Sequence, residues 1–383
     1  MAAGRPTGIL IVDDSVVIRS LLRSVVSADA GLSVIGSAAD GASALRAIES
    51  LRPDLVLLDV EMPVMDGLAT LRELRKRGHK MPVIMCSSLT RRGATVTIEA
   101  LACGASDYVA KPSGQSGREA ATKALAQDLI PRIHALTGRV PVHSSISSPG
   151  IGIAFGAGPA ALLNPALLPM ASRPRPQSIS SIPVVLVIGV STGGPAALDV
   201  LLPALPSNFP LPVMIVQHMP EVFTRLFAER LNGRCQLRVR EAAEGDQVRA
   251  GTISIARGNW HMEVHAGSPH TLHLTQGPLE NHCRPAVDVL FRTAAAAYGS
   301  GVLAVVLTGM GSDGMIGCRV LRDQGGAVLA QDQATSTVWG MPGAVTNAGL
   351  ANKVLPLQDI APEILRIVNR THYEAAPLRE SAG

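Results

Sequence analysis

Residues 183–202 read PVVLVIGVSTGGPAALDVLL. An aliphatic run passes directly into a glycine-rich turn, and a segment that predicts a helix follows the turn. Aliphatic runs without polar alternation are typical of strands that are buried on both faces of a parallel sheet. Glycine lets the backbone turn sharply between strand and helix. This segment therefore predicts one strand-turn-helix unit of a doubly wound α/β domain.

The same alternation of strands and helices extends on both sides of this unit. Downstream strands are predicted at residues 212–218, 251–256, 301–309 and 327–332, with some antiparallel pairing around 252–275. Upstream strands are predicted at residues 8–12, 33–37, 54–59, 82–87 and 107–112, followed by a helix over 118–136. Strands spaced by helices in this way form parallel sheets. The predicted fold class is α/β with two doubly wound domains: an N-terminal flavodoxin-like domain with a five-stranded parallel sheet, and a C-terminal, mostly parallel, Rossmann-like domain.

The chain is long enough for more than one domain, because its 383 residues exceed the usual size of about 100–200 residues per domain. With 47% hydrophobic but only 3% aromatic residues, its cores must consist of aliphatic side chains. The predicted boundaries are residues 1–136 for the first domain, 137–181 for a flexible linker, 182–372 for the second domain and 373–383 for a C-terminal tail.

The linker contains an uncharged stretch, residues 144–172, that has to be weighed as a membrane span. Pro149, Pro159, Pro165 and Pro169 lie within it, and each proline would remove a helix hydrogen bond. We therefore expect a flexible linker and no membrane insertion.

Charge and cysteine content restrict the function classes. The net charge is only +4 and no basic segment has interleaved aromatic residues, so nucleic-acid binding is not expected. The five cysteines are scattered and form no C-x-x-C pair, which is typical of a reducing compartment. The first predicted strand begins within eight residues of the start, which leaves no room for a signal peptide, and we expect a cytoplasmic protein.

Five polar residues lie at strand ends of the first predicted sheet. Asp13 and Asp14 end the first strand, Asp59 the third, Ser87 the fourth and Lys111 the fifth. Because the carboxyl ends of parallel strands share one edge, these side chains should converge. Crowded carboxylates favour a hard cation such as Mg²⁺, and Lys111 and Ser87 are suited to bind a phosphoryl group on Asp59. Taken singly, the aspartates are equally consistent with helix caps or turn residues.

Three residues at strand ends of the second predicted sheet have the chemistry of a serine hydrolase. Ser191 is the centre of a G-x-S-x-G turn, His218 closes the next strand, and Asp313 follows a later one. A hydroxyl needs an imidazole to take its proton, and a carboxylate to orient that imidazole, before it can attack an ester. The order Ser, His, Asp differs from the Ser, Asp, His order of α/β-hydrolases, so that fold is not predicted.

A dinucleotide site is the competing interpretation of the same region. Gly309, Gly311 and Gly314 fit G-x-G-x-x-G after a strand, and Asp332 ends the next strand, which is the pattern of an oxidoreductase. Asp313 argues against it, because a carboxylate inside the glycine loop would face the pyrophosphate.

His261 and His265, with Glu263 between them, raise the question of a zinc site. They lie in a predicted strand and lack a third ligand at a telling spacing. We expect surface or packing roles for both histidines.

The first part of the chain resembles response-regulator receiver domains. The matching motifs are IVDDS, LLDVEMPVMDGL, MCSSLT and DYVAKP, within residues 8 to about 130. The resemblance implies that Asp59 accepts the phosphoryl group and that Tyr108 is the switch aromatic. It implies that Ser87 and Lys111 contact the phosphoryl group and that Mg²⁺ is held by Asp13, Asp14, Asp59 and the backbone carbonyl of Glu61.

The whole chain resembles the chemotaxis protein-glutamate methylesterases of the CheB type. The matching motifs are VIGVSTGGP, VQHMPEVFTRLFAERLN, RPAVDVLFRTAA, LTGMGSDG and WGMP. The resemblance implies that Ser191 is the nucleophile, His218 the general base and Asp313 the residue that orients it. Thr192 adjoins the nucleophile, and the Met310 backbone amide is placed to help form the oxyanion hole. No cofactor is implied for this domain.

The resemblance also implies a regulated function. Such enzymes hydrolyse glutamyl methyl esters on transmembrane chemoreceptors, release methanol and often deamidate receptor glutamines. The receiver restrains the catalytic domain until a chemotaxis histidine kinase phosphorylates it. The alternative is an output domain that only binds receptors. Two departures concern substrate contacts: Cys283 stands where histidine is expected, and Gln333 where an acidic residue is common.

Overall fold

The computed structural model describes residues 5–88, 90–112, 117–138 and 181–374. Most of the predicted linker and the residues from 375 onward lie outside this range. The elements of the N-terminal domain are the strands β1 (Thr7–Val12), β2 (Leu32–Ala38), β3 (Leu55–Asp59), β4 (Val83–Ser87) and β5 (Asp107–Ala110), and the helices α1 (Val16–Ser27), α2 (Gly41–Leu51), α3 (Gly67–Lys76), α4 (Arg91–Ala102) and α5 (Arg118–Thr137).

The N-terminal sheet has the strand order β2-β1-β3-β4-β5, and its pairs are parallel. This is the flavodoxin-like order, so the predicted fold is confirmed. The aliphatic runs form buried strands because helices cover both faces of the sheet. Polar side chains begin the helices: the Ser15 hydroxyl caps α1, and the Asp40 carboxylate accepts from the Ser43 N–H at the start of α2.

The C-terminal domain contains the remaining elements. Its strands are β6 (Val185–Val190), β7 (Val213–Gln217), β8 (Arg238–Glu241), β9 (Thr252–Ile255), β10 (His261–His265), β11 (Thr271–Thr275), β12 (Val302–Val306), β13 (Ala327–Gln331) and β14 (Lys353–Leu355). Its α-helices are α6 (Gly194–Leu201), α7 (Glu221–Asn232), α8 (Val287–Tyr298), α9 (Met315–Asp323), α10 (Met341–Asn347) and α11 (Leu357–Glu374).

The C-terminal sheet has the order β14-β13-β12-β6-β7-β9-β8, and the pairs within it are parallel. The predicted Rossmann-like arrangement is confirmed. Among the strands of the described residues, β10 and β11 pair antiparallel, and isolated antiparallel bridges join Gln247 to Thr271 and Glu280 to Cys283. Strand β9, which lies in the region predicted to contain antiparallel strands, pairs in parallel with β7 and β8.

The strand order of each sheet shows where its ligand crevice lies relative to the polar residues identified at the strand ends. In an open sheet, ligands bind beyond the carboxyl ends of the strands, where the strand order reverses direction. In the N-terminal sheet that point lies between β1, which is followed directly by Asp13, and β3, which ends at Asp59. In the C-terminal sheet it lies between β6 and β12, beside Ser191 and the loop that carries Asp313.

The two domains pack against each other in the structure. Helix α4 contacts α6 and α7, and one cluster of buried apolar side chains includes residues of both domains. The Tyr108 ring stacks on the Phe223 ring with 4.6 Å between centroids. Strand β5 of the N-terminal domain therefore lies directly against the C-terminal domain.

Candidate active site

The turn after β6 presents Ser191 at the edge of the sheet. The Ser191 N–H donates to the Thr308 carbonyl at 3.0 Å, and its carbonyl accepts from Gly194 N–H at 2.8 Å. Gly193 has a φ of 77° and a Cβ there would clash with the Thr337 side chain, so glycine is required. A Cβ on Gly309 would overlap the Ser191 side chain, which shows how closely the loop after β12 approaches the serine.

His218 is the neighbour of Ser191 across the sheet. The register pairs Val190 with Gln217, and the His218 N–H donates to the Val190 carbonyl at 3.1 Å. Ser191 and His218 thus follow adjacent strands, which lie about 4.8 Å apart. Within the described part of the chain, the Ser191 hydroxyl makes no hydrogen bond, so the contact between hydroxyl and imidazole predicted from the sequence is not formed in this conformation.

Asp313 holds one nitrogen of the His218 ring. His218 Nε2 lies 2.7 Å from Asp313 Oδ2, and both side chains are largely buried. Four further donors fix the carboxylate: the backbone N–H groups of Val287, Asp288 and Gly314, and the side-chain amide of Asn281, at 2.7–3.0 Å. Two of these N–H groups belong to the first turn of α8, where the helix dipole favours an anion.

Electrostatics strengthen the pair. Burial alone would raise the pKa of the Asp313 carboxyl. The hydrogen bond and the charge of His218, together with the backbone N–H donors, outweigh this effect and lower the pKa. Burial lowers the pKa of His218, whereas the contacts with Asp313 and Cys283 raise it to about 9. The ionised carboxylate therefore fixes the ring orientation and stabilises the imidazolium.

The other ring nitrogen of His218 faces a residue that sequence reasoning did not place in the site. Cys283 Sγ lies 3.7 Å from His218 Nδ1. The sequence signalled Cys283 only as a departure from the histidine expected before Arg284. Asn281 and Asp288 were also missed, although Asn281 bridges Asp288 and Asp313 through its amide at 2.9 Å.

Two backbone donors are available beside the serine. Among the described residues, the N–H groups of Thr192 and Met310 have no hydrogen-bond partner. Thr192 precedes α6 and Met310 follows Gly309, which touches Ser191. N–H groups placed in this way stabilise negative charge that develops on an attacked carbonyl oxygen.

The competing interpretations of this region lose their basis. The Asp313 carboxylate lies inside the glycine loop, where it bonds His218 and several backbone N–H groups. The loop therefore does not provide a site for a pyrophosphate. His261 lies in β10, where its ring contacts the Pro278 carbonyl and the Ala286 N–H, so it has a packing role.

A cluster of acidic side chains forms the second site, in the N-terminal domain. Asp13, Asp14 and Asp59 each place a carboxylate oxygen within 4.8 Å of the others. The Lys111 ammonium lies 2.7 Å from Asp13 Oδ2 and 2.6 Å from Asp59 Oδ1. Burial raises the pKa of Asp59, and the nearby Asp13 charge adds to this, although Lys111 opposes it. An all-oxygen donor set of this kind fits a hard divalent cation such as Mg²⁺.

The remaining predicted residues lie around this cluster. Ser87 ends β4 and is fully buried, and its hydroxyl donates to the Ser88 carbonyl at 3.2 Å. The exposed Glu61 side chain pairs with Arg92 at 3.2 Å, so it turns to the surface. Only the Glu61 backbone remains as a candidate ligand.

A hydrogen bond across the domain boundary joins the turn that carries Ser191 to the start of β5. The Thr192 hydroxyl, beside the serine, donates to Asp107 Oδ2 at 2.7 Å, and both side chains are buried. Arg132 of α5 pairs with the same carboxylate oxygen at 2.7 Å. The sequence identified Tyr108 as a switch residue but gave no signal for its neighbour Asp107.

Comparisons with known proteins identify both domains. The family model for CheB methylesterase matches residues 186–364, and that for the response regulator receiver domain matches residues 9–122. A protein-glutamate methylesterase/protein-glutamine glutaminase from Nocardioides sp. is 48% identical over 370 residues, covering 96% of this chain and 97% of its relative. One of the same name from Trichodesmium erythraeum is 45% identical over 359 residues, covering 94% and 98%.

Among solved structures, the Thermotoga maritima CheB methylesterase catalytic domain is 41% identical, with a TM-score of 0.48, covering 49% of this chain and 100% of that one.

In the part of the chain that the structure describes, no helix has the length and apolar character needed to cross a membrane. The family resemblance found in the sequence is confirmed by the curated relatives, which match over nearly their full length. The chain belongs to the protein-glutamate methylesterase/protein-glutamine glutaminase family and combines a response regulator receiver domain with a CheB methylesterase domain.

Proposed function

We propose that this protein removes methyl esters from glutamate side chains of chemoreceptors, releasing methanol, and deamidates receptor glutamines by the same chemistry. The observation that carries the proposal is the His218–Asp313 pair, held at the sheet edge where Ser191 follows β6. A domain that only binds receptors is less favoured, because it has no need of a buried carboxylate that orients an imidazole.

The proposed reaction is acyl transfer to the serine. His218 takes the Ser191 proton as the hydroxyl attacks the side-chain carbonyl, and the N–H groups of Thr192 and Met310 stabilise the oxyanion. His218 then gives the proton to the leaving group, which departs as methanol from the ester or as ammonia from the glutamine amide. Water, deprotonated by the same imidazole, attacks the acyl-enzyme and frees the glutamate. Asp313 keeps the ring oriented throughout.

The proposed control lies in the receiver. A chemotaxis histidine kinase would transfer a phosphoryl group to Asp59, and Ser87 and Lys111 would contact it. Asp13, Asp14, Asp59 and the Glu61 backbone carbonyl would hold Mg²⁺. The cation supplies positive charge that offsets the charge on the phosphoryl oxygens.

Strand β5 connects this control to the catalytic domain. Lys111, which follows β5, bridges Asp13 and Asp59, while Asp107 and Tyr108 at the start of the strand contact Thr192 and Phe223. A phosphoryl group on Asp59 would give Lys111 a new partner. Movement at that end of β5 would then weaken the contacts that the other end makes beside Ser191.

The proposed organisation retains the boundaries predicted from the sequence: a receiver over 1–136, a linker over 137–181, the catalytic domain over 182–372 and a tail over 373–383. In this proposal the enzyme meets the receptors from the cytoplasm.

The test of this function is methanol release from receptor membranes that carry labelled methyl esters. The full chain is expected to release labelled methanol and to do so faster when acetyl phosphate and Mg²⁺ are added. A protein that releases no methanol under either condition would not be an esterase, and receptor binding alone would then become the better account.

Asp107→Ala should raise the basal rate without phosphodonor. The substitution removes a buried charge-assisted hydrogen bond across the domain boundary, worth about 1.5–3 kcal/mol. If the packed arrangement predominates, we expect methanol release to rise about tenfold, since about 1.4 kcal/mol corresponds to that factor.

The matched control is Asp128→Ala, because Asp128 also pairs with Arg132 but lies in α5 and makes no contact with Thr192. Its basal rate should stay at the wild-type level. Equal basal rates in wild type and Asp107→Ala would show that this contact does not restrain the enzyme.

The rate should rise with pH as His218 loses its proton. Only the neutral imidazole accepts a proton, so kcat/KM falls as the pH drops below the raised pKa of about 9. In Asp313→Asn the counter-charge is lost while burial remains, so the midpoint should move to lower pH and the plateau should fall about 10⁴-fold. The measurement is the pH profile of methanol release, corrected for spontaneous ester hydrolysis. A midpoint that stays unchanged in Asp313→Asn would exclude this electrostatic coupling.

A further inference from the structure

Cys283 gives the catalytic pocket a feature that the esterase reaction does not use. Its sulfur lies 3.7 Å from His218 Nδ1. The opposite nitrogen, Nε2, is bonded to the ionised Asp313 carboxylate at 2.7 Å. Nε2 therefore carries the ring proton that Asp313 accepts, and the lone pair of the neutral ring lies on Nδ1, toward the thiol.

Cys283 Sγ and His218 Nδ1 are spaced as two ligand atoms of one metal ion would be. Zinc binds thiolate sulfur at about 2.3 Å and imidazole nitrogen at about 2.0–2.1 Å, so two tetrahedral ligand atoms lie about 3.5 Å apart. The observed separation of 3.7 Å needs almost no adjustment. Metal-binding histidines typically donate their second N–H to a carboxylate, and Asp313 already occupies that position. His218, Cys283 and Asp313 each have a ligand atom within 4.8 Å of the others.

The segment that carries the thiol is held firmly. The backbones of Glu280 and Cys283 exchange two hydrogen bonds, at 2.8 and 3.1 Å. Between them, the Asn281 amide donates to both Asp313 and Asp288, and Glu280 is paired with Arg292. The sulfur is thus positioned by the same network that positions the catalytic carboxylate.

We propose that Cys283 Sγ and His218 Nδ1 form a site for a soft divalent metal ion, with Zn²⁺ the best fit, and that metal binding reversibly blocks the enzyme. The thiol proton, and any proton on Nδ1, pass to solvent as the metal binds. Water completes the coordination. With its lone pair occupied by the metal, Nδ1 can no longer accept the serine proton.

Soft and hard cations would bind to different domains. The Asp13, Asp14 and Asp59 cluster offers only oxygen ligands and suits Mg²⁺, whereas thiolate and imidazole favour Zn²⁺ or Co²⁺. The metal binding itself does not depend on the proposed function, but the inhibition does.

The first experiment follows metal binding without any assay of activity. The chelator-treated full chain is titrated with Co²⁺ in saturating Mg²⁺, and the near-ultraviolet thiolate-to-cobalt absorption is recorded. Wild type and Cys235→Ser should show the band, because Cys235 follows α7 and packs against a cluster of apolar side chains that does not include Cys283. Cys283→Ser should lack it, and His218→Gln should weaken Co²⁺ binding about tenfold or more. A band of equal strength in Cys283→Ser, or no band in wild type, would overturn the site.

The second experiment measures Zn²⁺ inhibition of methanol release in saturating Mg²⁺. Cys283→Ser should need a Zn²⁺ concentration at least about tenfold higher for half inhibition, and chelator should restore the wild-type rate. Equal inhibition of both proteins would refute the block at Cys283. If no preparation releases methanol, the proposed function fails, and the cobalt absorption still decides whether the metal site exists.

Discussion

Ser191→Ala is expected to abolish phosphodonor-stimulated methanol release, with a loss of about 10⁴-fold or more. The hydroxyl is the atom that becomes acylated, so its removal leaves His218 with no proton to take. The Asp313 network does not involve the serine side chain, and the fold should be unchanged. Initial rates on methyl-labelled receptor membranes and the thermal unfolding midpoint, measured on the same protein, test both parts of this expectation.

Ser207→Ala is the matched control, since Ser207 is an exposed serine of the same domain and lies between α6 and β7, where the chain enters the amino end of a strand. It should release methanol at the wild-type rate. Substantial turnover by Ser191→Ala, above the spontaneous rate, would end the serine mechanism, whatever the state of the other site residues.

Asp59→Asn is expected to remove the stimulation by acetyl phosphate completely while the basal rate remains. The amide cannot form the acyl phosphate. Asp59 is buried at the end of β3, where Lys111 contacts its carboxylate. The measured quantity is the ratio of methanol release with and without phosphodonor, which should equal one in the variant.

Glu61→Gln provides the control for this substitution. The Glu61 side chain turns to Arg92 at the surface, while the backbone carbonyl proposed as a Mg²⁺ ligand is kept. This variant should still be stimulated. If Asp59→Asn responds to acetyl phosphate as strongly as wild type, regulation does not pass through Asp59.

The sequence patterns predicted the site residues because of one property of parallel sheets. Strands buried on both faces appear as aliphatic runs, and their carboxyl ends meet at one edge. Asp13, Asp59, Ser191 and His218 each end or directly follow such a run, so their positions along the chain were enough to bring them together.

Features that depend on tertiary contacts could not be predicted in this way. The strand β8, RVRE, lies at a sheet edge with half-exposed polar side chains, and β14 has only three residues, so neither gives an aliphatic run. Cys283 reaches His218 across 65 residues through an irregular loop. The bond between Asp107 and Thr192 requires the docking of two domains, which no local pattern records.

The proposed mechanism requires that His218, oriented by Asp313, activates Ser191. It is tested most directly by the rate at which a fluorophosphonate labels the phosphodonor-activated protein, with the modified residue located by mass spectrometry. We predict labelling of Ser191 in wild type and a labelling rate lower by about 100-fold or more in His218→Ala. Equal labelling rates in the two proteins, or label on Cys283 instead of Ser191, would contradict it.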